Sequence, residues 1–242
     1  MPSHTAEYWF IELALAEHAR SFGVLDGEIS SFQSLPIESL QSKKREMWDR
    51  IRPLNTDAPA EELTRFIDSQ VAAGCSASTQ FYHQFLERFA AEAVAITILS
   101  HSLCEAIINA ILAIGLSAQG QDNLFKIFEP SNLKDKWTIA PLVFLPKYLF
   151  PKTGTLYESL SVLCTRRNSY VHSKITLRNN DNSVLIAGSS AASVSIDPAG
   201  RAWLKRFLHL PYELHSHVCA QTEDKSLRFR MSHLLGNKPQ GI

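Results

Sequence analysis

The sequence has few cysteines, and their spacing builds neither a metal knuckle nor a dense disulfide framework. The four cysteines, Cys75, Cys104, Cys164 and Cys219, stand far apart and form no CxxC pair. They are typical of reduced, mostly buried thiols, so we expect a cytoplasmic protein. The chain also lacks the GxGxxG and GxxxxGKT strings of nucleotide-binding loops and the GxSxG string of serine hydrolases.

The chain has no net charge, because 24 Lys and Arg residues balance 24 Asp and Glu residues. That balance conceals an asymmetry. Residues 1–130 carry 9 basic and 17 acidic residues (9 − 17 = −8), and residues 131–242 carry 15 and 7 (15 − 7 = +8). A polyanion would meet the basic half at short range, although the two halves could equally neutralise each other across an interface.

The N-terminus lacks the basic and apolar regions of a secretory leader, since Glu7 and Glu12 interrupt its apolar residues. A second stretch, residues 89–116, is apolar enough to raise the question of a membrane span. It contains Glu92 and Glu105, and carboxylates near the centre of a span are costly. We therefore predict a buried core helix and no membrane association.

Length and composition are those of a globular protein: 242 residues, 45% apolar and 20% charged. Helical periodicity dominates and predicts an all-α helical bundle. We expect an N-terminal helical extension packed on the core (1–75), the bundle itself (76–222) and a C-terminal tail (223–242), with a short β-hairpin near 183–196. Helices are predicted at 6–21, 37–52, 57–73, 79–116, 133–139, 155–174 and 197–209. Gly23 and Gly27 are interpreted as a loop, Gly74 as a helix end, and Pro211 as a kink or break followed by a further helical segment to Cys219.

The long central helix has two apolar stripes on nearly opposite sides, which places it inside a bundle. The first contains Phe85, Phe89, Ile96, Leu103, Ile107, Ala110 and Ile114, and the second Val94, Ile98, His101, Glu105, Ile108 and Leu112. His101 and Glu105 lie one turn apart in the second stripe and need polar partners.

The most informative segment is the helix TLYESLSVLCTRRNSYVHSK. At about 100° per residue, Arg167 falls in the middle of its apolar stripe, and Asn168 and His172 fall on one flank, one turn apart. A buried guanidinium needs a carboxylate or phosphate partner, so we predict a buried ion pair between Arg167 and Glu105. On a purely structural interpretation, this pair fixes the helix register and His172 only faces the C-terminal helix dipole.

The string Arg167-Asn168-Ser169-Tyr170-Val171-His172 resembles the R-x(4–6)-H signature of the HEPN superfamily, whose members are small all-helical domains. The upstream context is similar too: a long helix with an acidic residue (SHSLCEAIINAIL) and a Lys-Trp connection (LKDKW) precede the motif helix. The resemblance covers about residues 80–174.

The resemblance implies a metal-independent endoribonuclease of a toxin, defence or stress system, acting at a cleft between two protomers through the motif helix. His172 would transfer protons, Arg167 would hold the phosphate and Asn168 would position groups. We expect His101, Glu105 and Arg166 to support them. We expect Lys174 to contact nucleic acid, together with Arg201 and Lys205 from the basic side of the run RAWLKRFLHL. RNA, a second copy of the chain and a cognate antitoxin or regulatory protein are the expected partners, and neither cofactor nor metal is expected. The alternative is a catalytically inactive interaction or RNA-binding module in which the same residues are structural.

Two further patterns carry weaker signals. His215 and His217 have metal-ligating side chains but point about 160° apart on one helix, so they cannot share one ion. The run RAWLKRFLHL is basic and aromatic, yet Trp203 and Phe207 lie four residues apart and are typical of a core pair.

Overall fold

The computed structural model describes residues 5–33, 40–54, 59–171, 176–180, 183–187 and 198–235, and the predicted all-α fold is confirmed. One two-stranded hairpin accompanies the helices. The helices are α1 (Thr5–Gln33), α2 (Leu40–Ile51), α3 (Ala60–Ala118), α4 (Phe125–Phe128), α5 (Leu133–Thr138), α6 (Thr155–Val171), α7 (Pro198–Gln221) and α8 (Lys225–Ser232).

The chain forms two compact units, one of residues 24–90 and one of residues 1–23 and 91–242. These bounds differ from the expected boundaries near 75 and 222. The second unit, called the main unit below, contains the start of α1, the second half of α3 and every later element, and therefore all described candidate site residues.

α1 is longer than predicted, because it continues past Gly23 and Gly27 to Gln33. The buried residues Leu15, Ala19, Phe22, Leu25 and Ile29 recur every three or four positions and continue on both sides of Gly23 and Gly27. This stripe stabilises a helix by burial that outweighs the cost of about 1 kcal/mol for each glycine.

α3 joins two predicted helices into one helix of 59 residues, so the predicted break at Gly74 is wrong. Within the main unit its buried residues lie on both predicted stripes: Leu103, Ile107, Ile108 and Leu112 are fully buried. A helix buried on two sides is an interior helix. Gly115 allows this, because a Cβ there would lie 2.5 Å from the Phe144 ring.

α3 is also the one described helix that is long and apolar enough to cross a membrane, over residues 88–118, on length and composition alone. Core helices of water-soluble proteins satisfy the same criterion.

The connection from α5 to α6 is ordered and apolar, as predicted for the proline-rich segment. Asn132 caps α5 by accepting a hydrogen bond from the Asp135 amide at 2.9 Å. The Tyr148 hydroxyl donates to the Trp137 carbonyl at 2.7 Å, and both rings are buried. Gly154, at φ 97°, supplies the left-handed turn before α6 begins at Thr155.

α7 runs through Pro211 without ending there, so of the kink or break predicted at this residue the break is wrong, and the helical segment expected after it is part of the same helix. Proline removes one backbone hydrogen bond inside a helix. Here the buried residues continue on both sides of it, including Leu204, Phe207, Leu214 and Val218, and packing maintains the helix.

The hairpin lies upstream of its predicted position near 183–196. β1 (Thr176–Asn180) pairs antiparallel with β2 (Ser183–Ala187), with Thr176 opposite Ala187. The segment VLIAG thus contributes a strand as expected, but its partner precedes it. Residues 188–197, including the second predicted strand, lie outside the described residues.

The predicted C-terminal tail contains a helix, α8. Asp224 caps it by accepting hydrogen bonds from the amides of Ser226 and Leu227 at 2.8 and 2.9 Å. Leu227 and Met231 are buried four residues apart on one face. Two buried apolar residues are too few to reveal a helical period, and the exposed Phe229 between them obscures it, so the sequence pattern missed the element.

Candidate functional site

Arg167 and Asn168 lie near the C-terminal end of α6, where the helix emerges from the core. Leu160 and Leu163 on the same stripe are fully buried, whereas Arg167 is half-buried and Val171 is 47% exposed. The Arg167 Nη1 donates to the Asn168 Oδ1 at 3.2 Å. The apolar stripe is therefore core only in its first half, and Arg167 stands at its exposed end.

The predicted ion pair between Arg167 and Glu105 is wrong, because Glu105 pairs with another cation. The Lys136 Nζ lies 3.0 Å from the Glu105 Oε1. The Lys136 side chain is fully buried, and its single charge needs a carboxylate more than the half-exposed Arg167 does. Among the described residues, no carboxylate lies within salt-bridge distance of Arg167.

His101 lies one turn before Glu105 on α3 and is half-buried. Burial lowers its pKa, and the nearby Arg167 lowers it further, against the opposite effect of Glu105. His101 is therefore neutral at pH 7, with one ring nitrogen free to accept a proton. Arg167, Glu105 and Lys136 all lie close enough to His101 to act on its charge.

Two cysteines and a further lysine border this cluster. Cys104 on α3 is fully buried, and burial raises its pKa. Burial also raises the pKa of the Cys164 thiol to about 11, although the cations Lys134 and Arg167 act in the opposite direction. Both thiols are protonated at neutral pH and are poor nucleophiles. Lys134 donates to the Ser161 Oγ at 3.1 Å and lies over the Tyr157 ring.

The remaining predicted residues contact another helix, belong to α7 or lie outside the described residues. Arg166 is adjacent in sequence, but its guanidinium lies 5.8 Å from the centroid of the Phe207 ring of α7. Arg201 is half-buried and Lys205 exposed on α7. His172 and Lys174 lie outside the described residues, so the structure tests neither role.

Sequence reasoning did not assign a role to Lys136, whose charged side chain is fully buried and pairs with Glu105. A signal existed: Leu133, Trp137 and Ala140 are apolar and buried, and Lys136 lies within the same stripe of α5 and the turn after it. A lone lysine at an apolar position predicts a buried ion pair, just as the arginine in α6 did.

The histidines of α7 serve different contacts. His215 Nε2 bonds the Met231 carbonyl at 2.9 Å, and burial lowers its pKa. His217 Nε2 bonds the Leu149 carbonyl at 3.0 Å and packs edge-on against Phe150. Within the described part of the chain, no group of three or more His, Cys, Asp or Glu side chains is placed to hold a metal ion.

The cluster of His101, Glu105, Lys136, Arg167 and Asn168, called the α3–α6 cluster below, can bind an anion and accept a proton. Its chemistry is that of a cationic site with one neutral imidazole. No family model, curated protein or solved structure matches the chain.

Proposed function

We propose that this protein is a HEPN-like endoribonuclease that cleaves RNA without a metal ion, with Arg167 binding the scissile phosphate. One observation carries the proposal: Glu105 is paired with Lys136, and the half-exposed Arg167 keeps its charge beside a neutral imidazole. A planar guanidinium with free N–H donors suits a phosphodiester, whose charge spreads over its oxygens in the transition state.

The balance of charges around the cluster favours an anionic ligand. Lys134, Lys136 and Arg167 contribute three cations and Glu105 one carboxylate. Because Glu105 neutralises the buried Lys136, the uncompensated charge belongs to the residues nearer the surface. A phosphate group bound there would restore neutrality.

Asn168 and His172 complete the proposed machinery. Asn168 is exposed and its amide oxygen accepts from Arg167, so it orients the guanidinium and can direct its own N–H₂ group to the ligand. The role of His172 follows from the R-N-x-x-x-H motif alone. Histidine side chains in general can act as acid or base near neutral pH.

The reaction uses only groups of the RNA and the protein. The ribose 2′-oxygen attacks phosphorus as a base removes its proton, the bond from phosphorus to the 5′-oxygen breaks, and an acid protonates that leaving oxygen. His172 serves one of these proton transfers. The product carries a 2′,3′-cyclic phosphate, and no metal ion is needed.

We also propose that the active form is a symmetric homodimer joined through α6, in the cytoplasm, controlled by a cognate antitoxin or regulatory protein. A two-fold axis would place two copies of Arg167 and His172 in one cleft and so supply both an acid and a base. Val171, apolar and 47% exposed at the end of α6, provides contact area there.

The second candidate is a catalytically inactive RNA-binding or interaction module. The specific observation in its favour is the Lys136–Glu105 pair, which gives the acidic residue of α3 a structural partner. In such a module Arg167 would bind an anion without any proton transfer, and His172 would be dispensable.

Cleavage of a labelled RNA in the presence of a chelator separates the two candidates. The wild-type protein should cleave with EDTA present, and the products should carry 2′,3′-cyclic phosphate or its hydrolysed form. His172→Ala should slow cleavage by about 10²–10⁴-fold while the fold remains intact. Cleavage that requires a metal, or that survives His172→Ala, would favour the binding module.

A further inference from the structure

α8 presents an exposed aromatic and basic face that the α3–α6 cluster does not use. Phe229 is 66% exposed, and its ring lies 4.4 Å from the His233 ring, centroid to centroid. Lys225 precedes Phe229 by four residues and is exposed, as is Arg230. At about 100° per residue, Lys225, Phe229 and His233 follow one line along the helix.

The opposite face anchors the helix to the main unit. Leu227 and Met231 are buried there, and Arg228 donates through its Nε to the Thr222 carbonyl at 2.7 Å. Because Asp224 caps the N-terminus as well, the helix is held at its start and along its buried face. The aromatic face is thus presented by a fixed element.

The two rings form a defined platform. The His233 ring nitrogen Nδ1 donates to the Phe229 carbonyl at 2.7 Å, since a carbonyl oxygen can only accept. The hydrogen bond fixes the imidazole beside the phenyl ring and leaves Nε2 available. Such a pair offers π-faces on which a nucleobase can stack, whatever its identity.

The charges of α8 suit a polyanion. The helix carries three cations, Lys225, Arg228 and Arg230, and no acidic residue. Of the two acids that precede it, Glu223 pairs with Lys147 at 3.1 Å and Asp224 caps the helix. Lys225 and Arg230 therefore flank the rings as exposed cations.

We propose that the face formed by Lys225, Phe229, Arg230 and His233, called the α8 platform, binds single-stranded RNA by stacking a base on Phe229 and pairing phosphates with the two cations. The choice of RNA rests on the proposed function, whereas the stacking and charge arguments are independent of the chemistry at Arg167. An anionic membrane fits less well. A membrane-surface helix needs a broad apolar face, and here Leu227 and Met231 are buried in the protein.

The test measures binding separately from cleavage. A fluorescently labelled, 2′-O-methylated oligonucleotide of about 12 nucleotides cannot undergo attack by the 2′-oxygen, and its anisotropy reports binding to the full chain. Phe229→Ala should weaken binding by about 5- to 150-fold, the loss expected for one base stack. Phe229→Trp should retain affinity, and the oligonucleotide should quench the new indole.

The contribution of the charged residues Lys225 and Arg230 is measured by the salt dependence of binding. Lys225→Gln and Arg230→Gln should each reduce the slope of log affinity against log salt by about 0.7. The matched control is Phe10→Ala, which removes an equally exposed phenylalanine (62%) from α1 and should leave affinity unchanged.

Several results would overturn the proposal: unchanged affinity in Phe229→Ala, an equal loss in Phe10→Ala, or no RNA binding by the wild type. Binding to vesicles of anionic lipid but not to RNA would assign the platform to membranes instead. If the methylated RNA binds through Phe229 while unmodified RNA is never cleaved, the platform stands and the proposed ribonuclease activity fails.

Discussion

Lys136 and Glu105 form an ion pair whose two members are buried to very different extents. Their Nζ and Oε1 atoms are 3.0 Å apart, the Lys136 side chain is fully buried and the Glu105 side chain is 42% exposed. Glu105 therefore lies between a buried ammonium group and solvent. Its first role is to compensate Lys136, and this releases Arg167 for another anion.

The first prediction follows from this difference in burial between Lys136 and Glu105. Glu105→Gln leaves the buried ammonium of Lys136 without a counter-charge. The free energy of unfolding should fall by an amount toward the lower end of about 3–5 kcal/mol, since water can approach from the exposed side. Lys136→Met should cost less, because it removes the buried charge. Urea unfolding followed by circular dichroism measures both.

The control for that pair is Lys147 and Glu223, whose side chains are 83% and 77% exposed at a similar distance of 3.1 Å. Glu223→Gln should change the free energy of unfolding by less than about 1 kcal/mol. If Glu105→Gln proves as mild as Glu223→Gln, burial of Lys136 does not determine the stability of this region.

A second prediction concerns the contact between Gly115 and Phe144. Gly115→Ala should destabilise the protein by about 1–3 kcal/mol, because the new methyl group would lie 2.5 Å from the ring. At Gly23 on α1, an added Cβ would have no packing neighbour within 4 Å. Gly23→Ala should therefore raise the free energy of unfolding by about 0.5–1 kcal/mol. Thermal melts that give both variants the same sign would contradict the packing described for α3.

The third prediction is a pH dependence of stability. Burial and the facing cations Arg167 and Lys136 lower the pKa of His101 from 6.5, against the effect of Glu105. Between the two pKa values the unfolded chain holds more protons than the folded one, so the free energy of unfolding rises with pH. The contribution is fully present above about pH 6.5 and is lost as the pH falls through the lowered value.

His101→Gln should therefore flatten the increase in unfolding free energy between about pH 5 and pH 7. His215, whose pKa burial also lowers, contributes in the same direction. The double variant with His215→Gln should be flatter still. Denaturant titrations across this pH range measure the unfolding free energy of each variant. If His101→Gln shows the same pH dependence as the wild type, His101 does not cause the increase.

The sequence predicted the interior position of α3 and the start of α6, because both rest on long periodic stripes of apolar residues. It missed the continuity of α1 through Gly23 and left open whether α7 breaks at Pro211, since burial at neighbouring positions outweighs the local preference of a single residue. α8 was missed because only Leu227 and Met231 mark its buried face.

Helical spacing indicated which residues of the candidate site lie near one another better than it indicated which of them form an ion pair. Helical spacing places His101 and Glu105 on one face of α3 and Arg167 in the middle of the α6 stripe, whereas in the structure Arg167 lies at the exposed end of that stripe. Helical spacing cannot show that a cation from another helix, α5, forms the ion pair with Glu105. Lys136 pairs with Glu105 because its side chain is fully buried and needs a counter-charge. Its burial depends on the tertiary packing of α5.

The fourth prediction concerns assembly. If α6 forms the dimer interface, light scattering should give a dimer at micromolar concentration, and Val171→Arg should give a monomer by placing a charge in that interface. Phe10→Arg, at a comparably exposed apolar position of α1, should remain dimeric. A monomeric wild type that still cleaves RNA would refute the two-protomer site.

The last prediction separates the two adjacent arginines of α6. Arg167→Lys should reduce the cleavage rate by about 10²–10³-fold, because an ammonium group cannot replace a planar guanidinium that holds developing phosphate charge. Arg166→Lys keeps a cation over the Phe207 ring and should cleave at nearly the wild-type rate. Both variants retain the same charge and helix.

Thermal melting must accompany the comparison, because Arg167 also bonds Asn168 and lies at the edge of the core. A variant that melts like the wild type but fails to cleave assigns the loss to the phosphate contact. Since cleavage depends on the guanidinium only if Arg167 contacts the transition state, equal cleavage rates for the two lysine variants would show that Arg167 does not stabilise that state.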